Sequence, residues 1–320
     1  MRLYGDEKRG AVTMQFAIIQ DVFVNNLLPV LLCAAAGFVL GRTLHPDIKT
    51  ASRLAFYIFS PCLVFVSLER VKISGGELGK LAIFTLAVSL IIGGLAYLFG
   101  RSLKADRHLI ASMVVASMFV NSGNYGLAAT KFAFGEDALA RALVCFVFGT
   151  VVVYTLGVLI ASMGKLSAGQ ALRQMLMVPA VYGLIAAGLV RQMDWQVPLF
   201  LDRSVGMLGD ASIPLMLVLL GLQIAEARSW PRDRMVLIGA SALLQLVVSP
   251  VIGLVLAHWM GLSGASLQAA VLQASMPAAV VTTVLAVQYD LDKTLVSGVV
   301  VLTTVLSPLT LTPLIAYLLK

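Results

Sequence analysis

The stretch Val120-Asn121-Ser122-Gly123-Asn124-Tyr125-Gly126, VNSGNYG, lies inside an apolar run, between LIASMVVASMF and LAATKFAF. Leucine fills hydrocarbon at least cost; two asparagines and two glycines do not. Glycine inside a helix is about 1 kcal/mol worse than alanine. Asparagine side chains compete with the backbone for hydrogen bonds. The stretch therefore predicts an interrupted helix. Unwound backbone inside a bilayer is tolerated only where protein or a water-filled cavity satisfies it.

The rest of the chain supplies the bilayer context. Of 320 residues, 59% are hydrophobic and only 12% charged, where a soluble domain has about a quarter charged. The mean hydropathy is +0.94. Apolar blocks recur at lengths near 20 residues, which as helix cover about 30 Å, the thickness of a bilayer core. The expected fold class is an all-α polytopic membrane protein. Ten spans are expected near 22–41, 51–68, 79–99, 109–134, 139–163, 174–190, 202–224, 235–258, 265–288 and 294–319. The polar, mixed-charge residues 1–13 read as an N-terminal extension with no secretory leader pattern.

Charge and cysteine usage exclude several classes. The net charge of +7 comes from Lys and Arg spread through short loops, with no basic stripe interleaved with aromatics, so no nucleic-acid partner is expected. Cys33, Cys62 and Cys145 fall far apart in apolar blocks, and His45, His108 and His258 lie in or beside loops. No metal-ligand spacing results, and neither a metal nor an organic cofactor is expected. The alternate loops that carry Arg42, Arg101, Lys104, Arg107, Arg232 and Arg234 are the richer in basic residues. The positive-inside bias then places both termini on the non-cytoplasmic side of the inner (plasma) membrane.

The two halves echo each other. SPCLVFVSLE at 60–69 resembles IPLMLVLLGLQ at 213–223, ASM at 116–118 recurs at 274–276, and FGED at 134–137 is echoed by YDLD at 289–292. Five spans per half invert the second copy, a common transporter plan. The domain reading is a first repeat over 14–163, a linker over 164–173 and a second repeat over 174–320. The partner of VNSGNYG is QASMPAAVVTT at 273–283, where Pro277 lacks an N–H and clashes with the preceding turn. Disrupted helices at matched places in two repeats point to a binding site near the membrane midplane.

The expected chemistry follows from helix ends. Two half-helices whose N-termini converge offer free N–H groups and partial positive charge to a carboxylate. Asn121 and Asn124 would donate amide N–H, Ser122, Thr282 and Thr283 hydroxyls, and Gly123, Pro277 and Ala278 the exposed backbone. The alternative is that these small and polar residues only pack helices closely. Asp210, in an otherwise apolar span, is a functional candidate by default: it couples a proton, pins the kink before Pro214, or lies near the interface. Gln268 and Gln273 face the cavity or neighbouring helices. Trp195, Trp230 and Trp259 read as interfacial anchors.

NSGNYGL on the fourth span, GDAS…LMLVLLGLQIA on the seventh and MPAAVVTTVLAVQYD on the ninth resemble the auxin efflux carrier family. That family includes plant auxin carriers and bacterial carriers of malonate and other small organic acids, and the chain reads as a bacterial member, distantly similar to the bile-acid and sodium symporter fold. The resemblance implies ten helices in two inverted repeats of five, with spans four and nine broken and crossing. It also implies a scaffold of spans one, two, six and seven, a mobile domain of the other six, and a homodimer through the scaffold. Ala128 stands where the family has proline after the GL of the first crossover, which leaves Gly123 and Gly126 to supply the break.

The leading functional expectation is a secondary transporter of a small mono- or dicarboxylate, coupled to H+ or Na+ or to neither. A sodium symporter of the bile-acid type is the runner-up, with Ser117, Asn121, Gln268, Gln273 and Thr282 as oxygen ligands and no acidic residue on the ninth span before Asp290. A channel or sensor is the alternative from another class; it lacks a charged or carbonyl-rich filter. An enzyme is not expected, because Asp210 stands alone and no histidine lies mid-span.

Overall fold

The computed structural model describes residues 17–162, 173, 176–226 and 232–320. The extension over 1–13, all but Arg173 of the linker, and Trp230 lie outside them. The described residues are helical and hold no strand, only one isolated antiparallel bridge between Val120 and Ala278. In chain order the helices are α1 (Ala17–Thr43), α2 (Ile48–Arg70), α3 (Gly75–Ser102), α4 (Arg107–Met118) and α5 (Ser122–Ala161). They continue as α6 (Pro179–Gln192), α7 (Leu199–Ala225), α8 (Arg232–Trp259), α9 (Gly264–Ala274), α10 (Val281–Gln288) and α11 (Lys293–Leu318).

Seven of these, α1, α2, α3, α5, α7, α8 and α11, are long and apolar enough to cross a membrane. The chain is a multi-pass membrane protein. The expected span over 109–134 is divided between α4 and the first arm of α5, and the span over 139–163 is the second arm. Gly135 turns the chain between the arms at φ 79° and ψ −168°, a region that residues other than glycine scarcely enter. The stretch expected over 265–288 is likewise divided, into α9 and α10. α6 has 14 residues and reaches only about 21 Å.

Local chemistry sets the helix starts and irregularities. Ser74, Asp106 and Asp292 accept the backbone N–H of Glu77, Leu109 and Leu295 and cap α3, α4 and α11. Three π-helical turns, Phe23–Leu27, Ala55–Phe59 and Leu244–Val248, come just before Pro29, Pro61 and Pro250. Proline removes one N–H and crowds the carbonyl four residues back. A wider turn relieves that crowding without ending the helix.

Helices α1, α2, α6 and α7 approach through small residues. A Cβ at Gly221 of α7 would lie 1.8 Å from the Ala34 carbonyl oxygen of α1, and one at Gly37 would lie 2.1 Å from the Val218 carbonyl oxygen. Gly183 of α6 meets the Pro61 oxygen of α2 in the same way, at 2.5 Å. Close backbone packing of this kind holds helices together where lipid removes the hydrophobic drive.

Candidate functional site

Four helix ends meet at the bridge between Val120 and Ala278. α4 stops at Met118 and α5 begins at Ser122; α9 stops at Ala274 and α10 begins at Val281. The two gaps lie antiparallel. Asn121 N–H donates to the Pro277 oxygen at 2.7 Å, and Ala279 N–H donates to the Phe119 oxygen at 2.9 Å. Each interruption thus satisfies part of the other's backbone, as nonhelical backbone inside a membrane requires.

Neighbouring helices complete the accounting. Gln245 of α8 donates from Nε2 to the Phe119 oxygen at 3.1 Å, and Ser249 donates to the Ala274 oxygen at 2.7 Å. On α11, the Thr303 hydroxyl accepts Ala278 N–H at 3.0 Å, and Ser307 donates to the buried Tyr125 hydroxyl at 3.2 Å. Each pair is four residues apart and so faces one side of its helix. These four residues were not singled out in the sequence. Their signal is a shared one: LLQLVVSP at 243–250 and VLTTVLSP at 301–308 each place polar side chains four apart in an apolar run.

What remains unpaired is the chemistry of the site. Among the described residues, Asn121 Nδ2, Ser117 Oγ, Gln245 Oε1 and Gln273 Oε1 are buried without a hydrogen-bond partner, and all four flank the crossing. The first turn of α5, Ser122–Gly126, begins at the crossing with no side-chain cap, and the first N–H groups of a helix have no intrahelical partner. A cavity of about 30 Å³ beside the crossing is lined by Ser117, Ser122, Ser249, Gln273, Phe84 and Met118, among others. That volume admits water and is far below the roughly 300 Å³ or more of a ligand pocket. A larger cleft of about 200 Å³, between Glu69, Arg191, Asp194 and Trp195, lies at the ends of α2 and α6.

The residues singled out in the sequence divide into two groups. Asn121, Ser122, Gly123, Asn124, Gln273, Pro277, Ala278 and Thr282 come together at the crossing. Asn121 and Gln273 are 4% and 2% exposed. Gln273 donates from Nε2 to the Thr130 hydroxyl at 3.2 Å. Thr282 and Thr283 spend their hydroxyls on the carbonyls of Ala279 and Val280, so they cap their own turn. Gln268 donates to the Leu318 oxygen at 3.0 Å and ties α9 to the end of α11. Asp210 lies on the exposed side of α7 with Met207 and Ala211, away from the crossing.

The glycines act differently from the expectation. The break falls at residues 119–121, before them, and Gly123 and Gly126 sit inside the first helical turn of α5. Neither has a positive φ. What they supply is room: a Cβ at Gly123 would lie 2.9 Å from the Phe146 ring, and one at Gly126 would lie 2.6 Å from Gln273 Oε1. Ala128 continues the same helix in regular conformation.

The sequence of the second half, over residues 163–315, matches the family model for membrane transport proteins. Uncharacterized transporters of two archaea are similar along most of the chain. One from Methanothermobacter thermautotrophicus is 29% identical, over 88% of this chain and 94% of its own length. One from Methanocaldococcus jannaschii is 26% identical over the same shares. Auxin efflux carrier component 8 of Arabidopsis thaliana is 29% identical over 40% of this chain and 36% of its own. The chain is similar to membrane transporters, an auxin efflux carrier among them.

The polar bonds between helices fall into two sets. Arg70 of α2 pairs with Asp202 of α7 at 3.1 Å, and Arg191 of α6 donates to the Leu68 and Val71 carbonyls at the end of α2. Elsewhere, Arg141 of α5 pairs with Glu77 of α3 at 2.6 Å, and Ser266 of α9 donates to the same carboxylate. Arg234 of α8 pairs with Asp292 before α11 at 2.9 Å, and His108 of α4 bonds the Asp290 carbonyl. The first set joins α2, α6 and α7; the second joins α3, α4, α5, α8, α9 and α11. Among the described residues, one side-chain hydrogen bond links the two sets: Asn124 Nδ2 of α5 donates to Gln223 Oε1 of α7 at 3.4 Å.

Proposed function

We propose that this transporter carries a small organic anion, a mono- or dicarboxylate, by alternating access at the crossing of residues 119–121 with 275–280. The observation that carries the reading is the buried Asn121 Nδ2, without a hydrogen-bond partner among the described residues, at the uncapped start of α5. Convergent donors and a helix N-terminus suit an anion without a buried lysine or arginine. The small size of the cavity supports a closed conformation around the crossing, from which a substrate-sized space opens by movement.

The division of polar bonds supports the manner of that movement. Helices α3, α4, α5, α8, α9, α10 and α11 move as one body against α1, α2, α6 and α7, in an elevator or rocking motion. Ion pairs lie inside each group, so sliding the groups breaks few polar contacts. On this reading the chain makes ten crossings in two inverted repeats, counting α4 with the first arm of α5 as one and α9 with α10 as another. Both termini face away from the cytoplasm, and the α1, α2, α6 and α7 group joins two copies in a dimer.

The test is binding and flux. Purified protein is titrated with acetate, malonate and succinate, with and without sodium and across pH, and reconstituted for uptake. Saturable, counter-gradient uptake of an acid that Asn121→Ala and Asn124→Ala abolish is the expected result. Normal transport by both variants refutes the assignment of the crossing. Non-saturable flux favours a channel.

A further inference from the structure

Gln223 was not singled out as a site residue, yet its side chain makes the one polar bond described between the two helix groups. Its partner, Asn124 Nδ2, is a donor that the carboxylate reading assigns to substrate. Gln223 sits two residues beyond Gly221, whose helix is pressed onto α1 at Ala34 and Phe38. The glutamine is therefore held by the packing of α7 on α1, and the asparagine by the crossing.

We propose that Gln223 is part of the substrate site, where its amide oxygen holds on Asn124 the place that a substrate carboxylate oxygen takes. Acid binding and this contact between the helix groups then exclude each other. The inference rests on the carboxylate reading and deepens it. An amide oxygen and a carboxylate oxygen present the same lone pairs to an N–H donor. The carboxylate makes the stronger bond, because hydrogen bonds with one ionised partner are roughly twice as strong as neutral ones. At 3.4 Å the glutamine bond is longer than an ordinary N–H···O bond of about 2.7–3.2 Å, so the acid displaces it readily. A loaded crossing is released from α7 while an unloaded one is tethered to it, and acid-for-acid exchange runs faster than net flux.

The experiment titrates the purified full-length chain with malonate, acetate and succinate by calorimetry, in wild type, Gln223→Leu, Gln223→Glu and Asn124→Ala. Losing one competing neutral hydrogen bond makes Gln223→Leu bind the acid about two- to tenfold more tightly than wild type. Gln223→Glu sets a fixed carboxylate on the same amide and binds the acid more weakly than wild type. The gain of Gln223→Leu disappears when Asn124→Ala is added. Opposite shifts from two substitutions at one position separate competition from a merely structural role. Should Gln223→Leu fail to fold, Gln223→Asn, whose shorter amide falls short of Asn124, takes its place with the same expected gain. Acids that bind wild type and lose affinity in Asn121→Ala, but bind both Gln223 variants as they bind wild type, overturn this inference alone. Acids that bind neither wild type nor Gln223→Leu overturn the carboxylate reading and this inference together.

Discussion

Asn121 and Pro277 are hydrogen-bonded backbone to backbone at 2.7 Å, although 156 residues separate them (277 minus 121). The bond joins the interruption between α4 and α5 to the interruption between α9 and α10. It leaves the Asn121 side chain buried with its Nδ2 unpaired. Backbone pairing fixes where the amide sits; the absence of a side-chain partner leaves it free to bind something else. An unsatisfied buried donor costs about 1–3 kcal/mol, so a fold that keeps one there has a use for it on the present account.

Gly126 tests whether room or conformation is the role of the glycines in the fourth span. Its φ is helical, and a Cβ would lie 2.6 Å from Gln273 Oε1 and 2.9 Å from its Nε2. Gly126→Ala should push Gln273 off Thr130 and destabilise the protein by about 1–3 kcal/mol. Thermal unfolding of the purified protein reads the loss. The double variant Gly126→Ala with Gln273→Ala should recover most of it, since the obstructing amide is then gone.

Gly221 and Gly94 make a matched pair for testing the packing of α7 on α1. A Cβ at Gly221 would overlap backbone, at 1.8 Å from the Ala34 oxygen, whereas one at Gly94 of α3 meets nothing within 4 Å. Gly221→Ala should cost about 3 kcal/mol or more, at the upper end of overpacking. Gly94→Ala should be neutral, or stabilising by about 0.5–1 kcal/mol through helix propensity. The comparison is made on melting temperatures of the two variants in the same detergent.

Movement between the helix groups is tested by cross-linking. The Phe56 ring of α2 and the Tyr154 ring of α5 lie 5.7 Å apart, across the proposed sliding surface. Arg234 and Asp292 pair within one group. In a background with Cys33, Cys62 and Cys145 replaced, a thiol cross-linker joining Cys at 56 and 154 should stop uptake in proteoliposomes. The same reagent joining Cys at 234 and 292 should leave uptake largely intact. Equal inhibition by both links, or by neither, contradicts the sliding of one group on the other.

The membrane nature and helical class of the chain were legible in the sequence because apolar block length alone decides them. Individual helix limits were less so. The expected span over 109–134 merged α4 with the first arm of α5, since hydropathy does not register a three-residue gap at 119–121. The turn at Gly135 was marked only by a polar FGED. At the site, VNSGNYG and Pro277 stood out because they break rules of helix composition. Gln245, Ser249, Thr303 and Ser307 did not, because a single polar residue in an apolar run is an ordinary helix-packing feature. Their role depends on which loop carbonyl or N–H stands opposite, and only the fold brings Phe119 to Gln245 across 126 residues. Asp210 shows the converse: it breaks the composition rule, yet the fold leaves it on the outer side of α7.

The most direct test of the central claim is calorimetric titration of the purified chain with malonate, beside acetate and succinate, in wild type and Asn121→Ala. The account predicts saturable binding of at least one acid to wild type. It predicts a loss of roughly ten- to a hundredfold in Asn121→Ala, the range expected for one hydrogen bond to a charged group. Binding of equal affinity in the two proteins contradicts it.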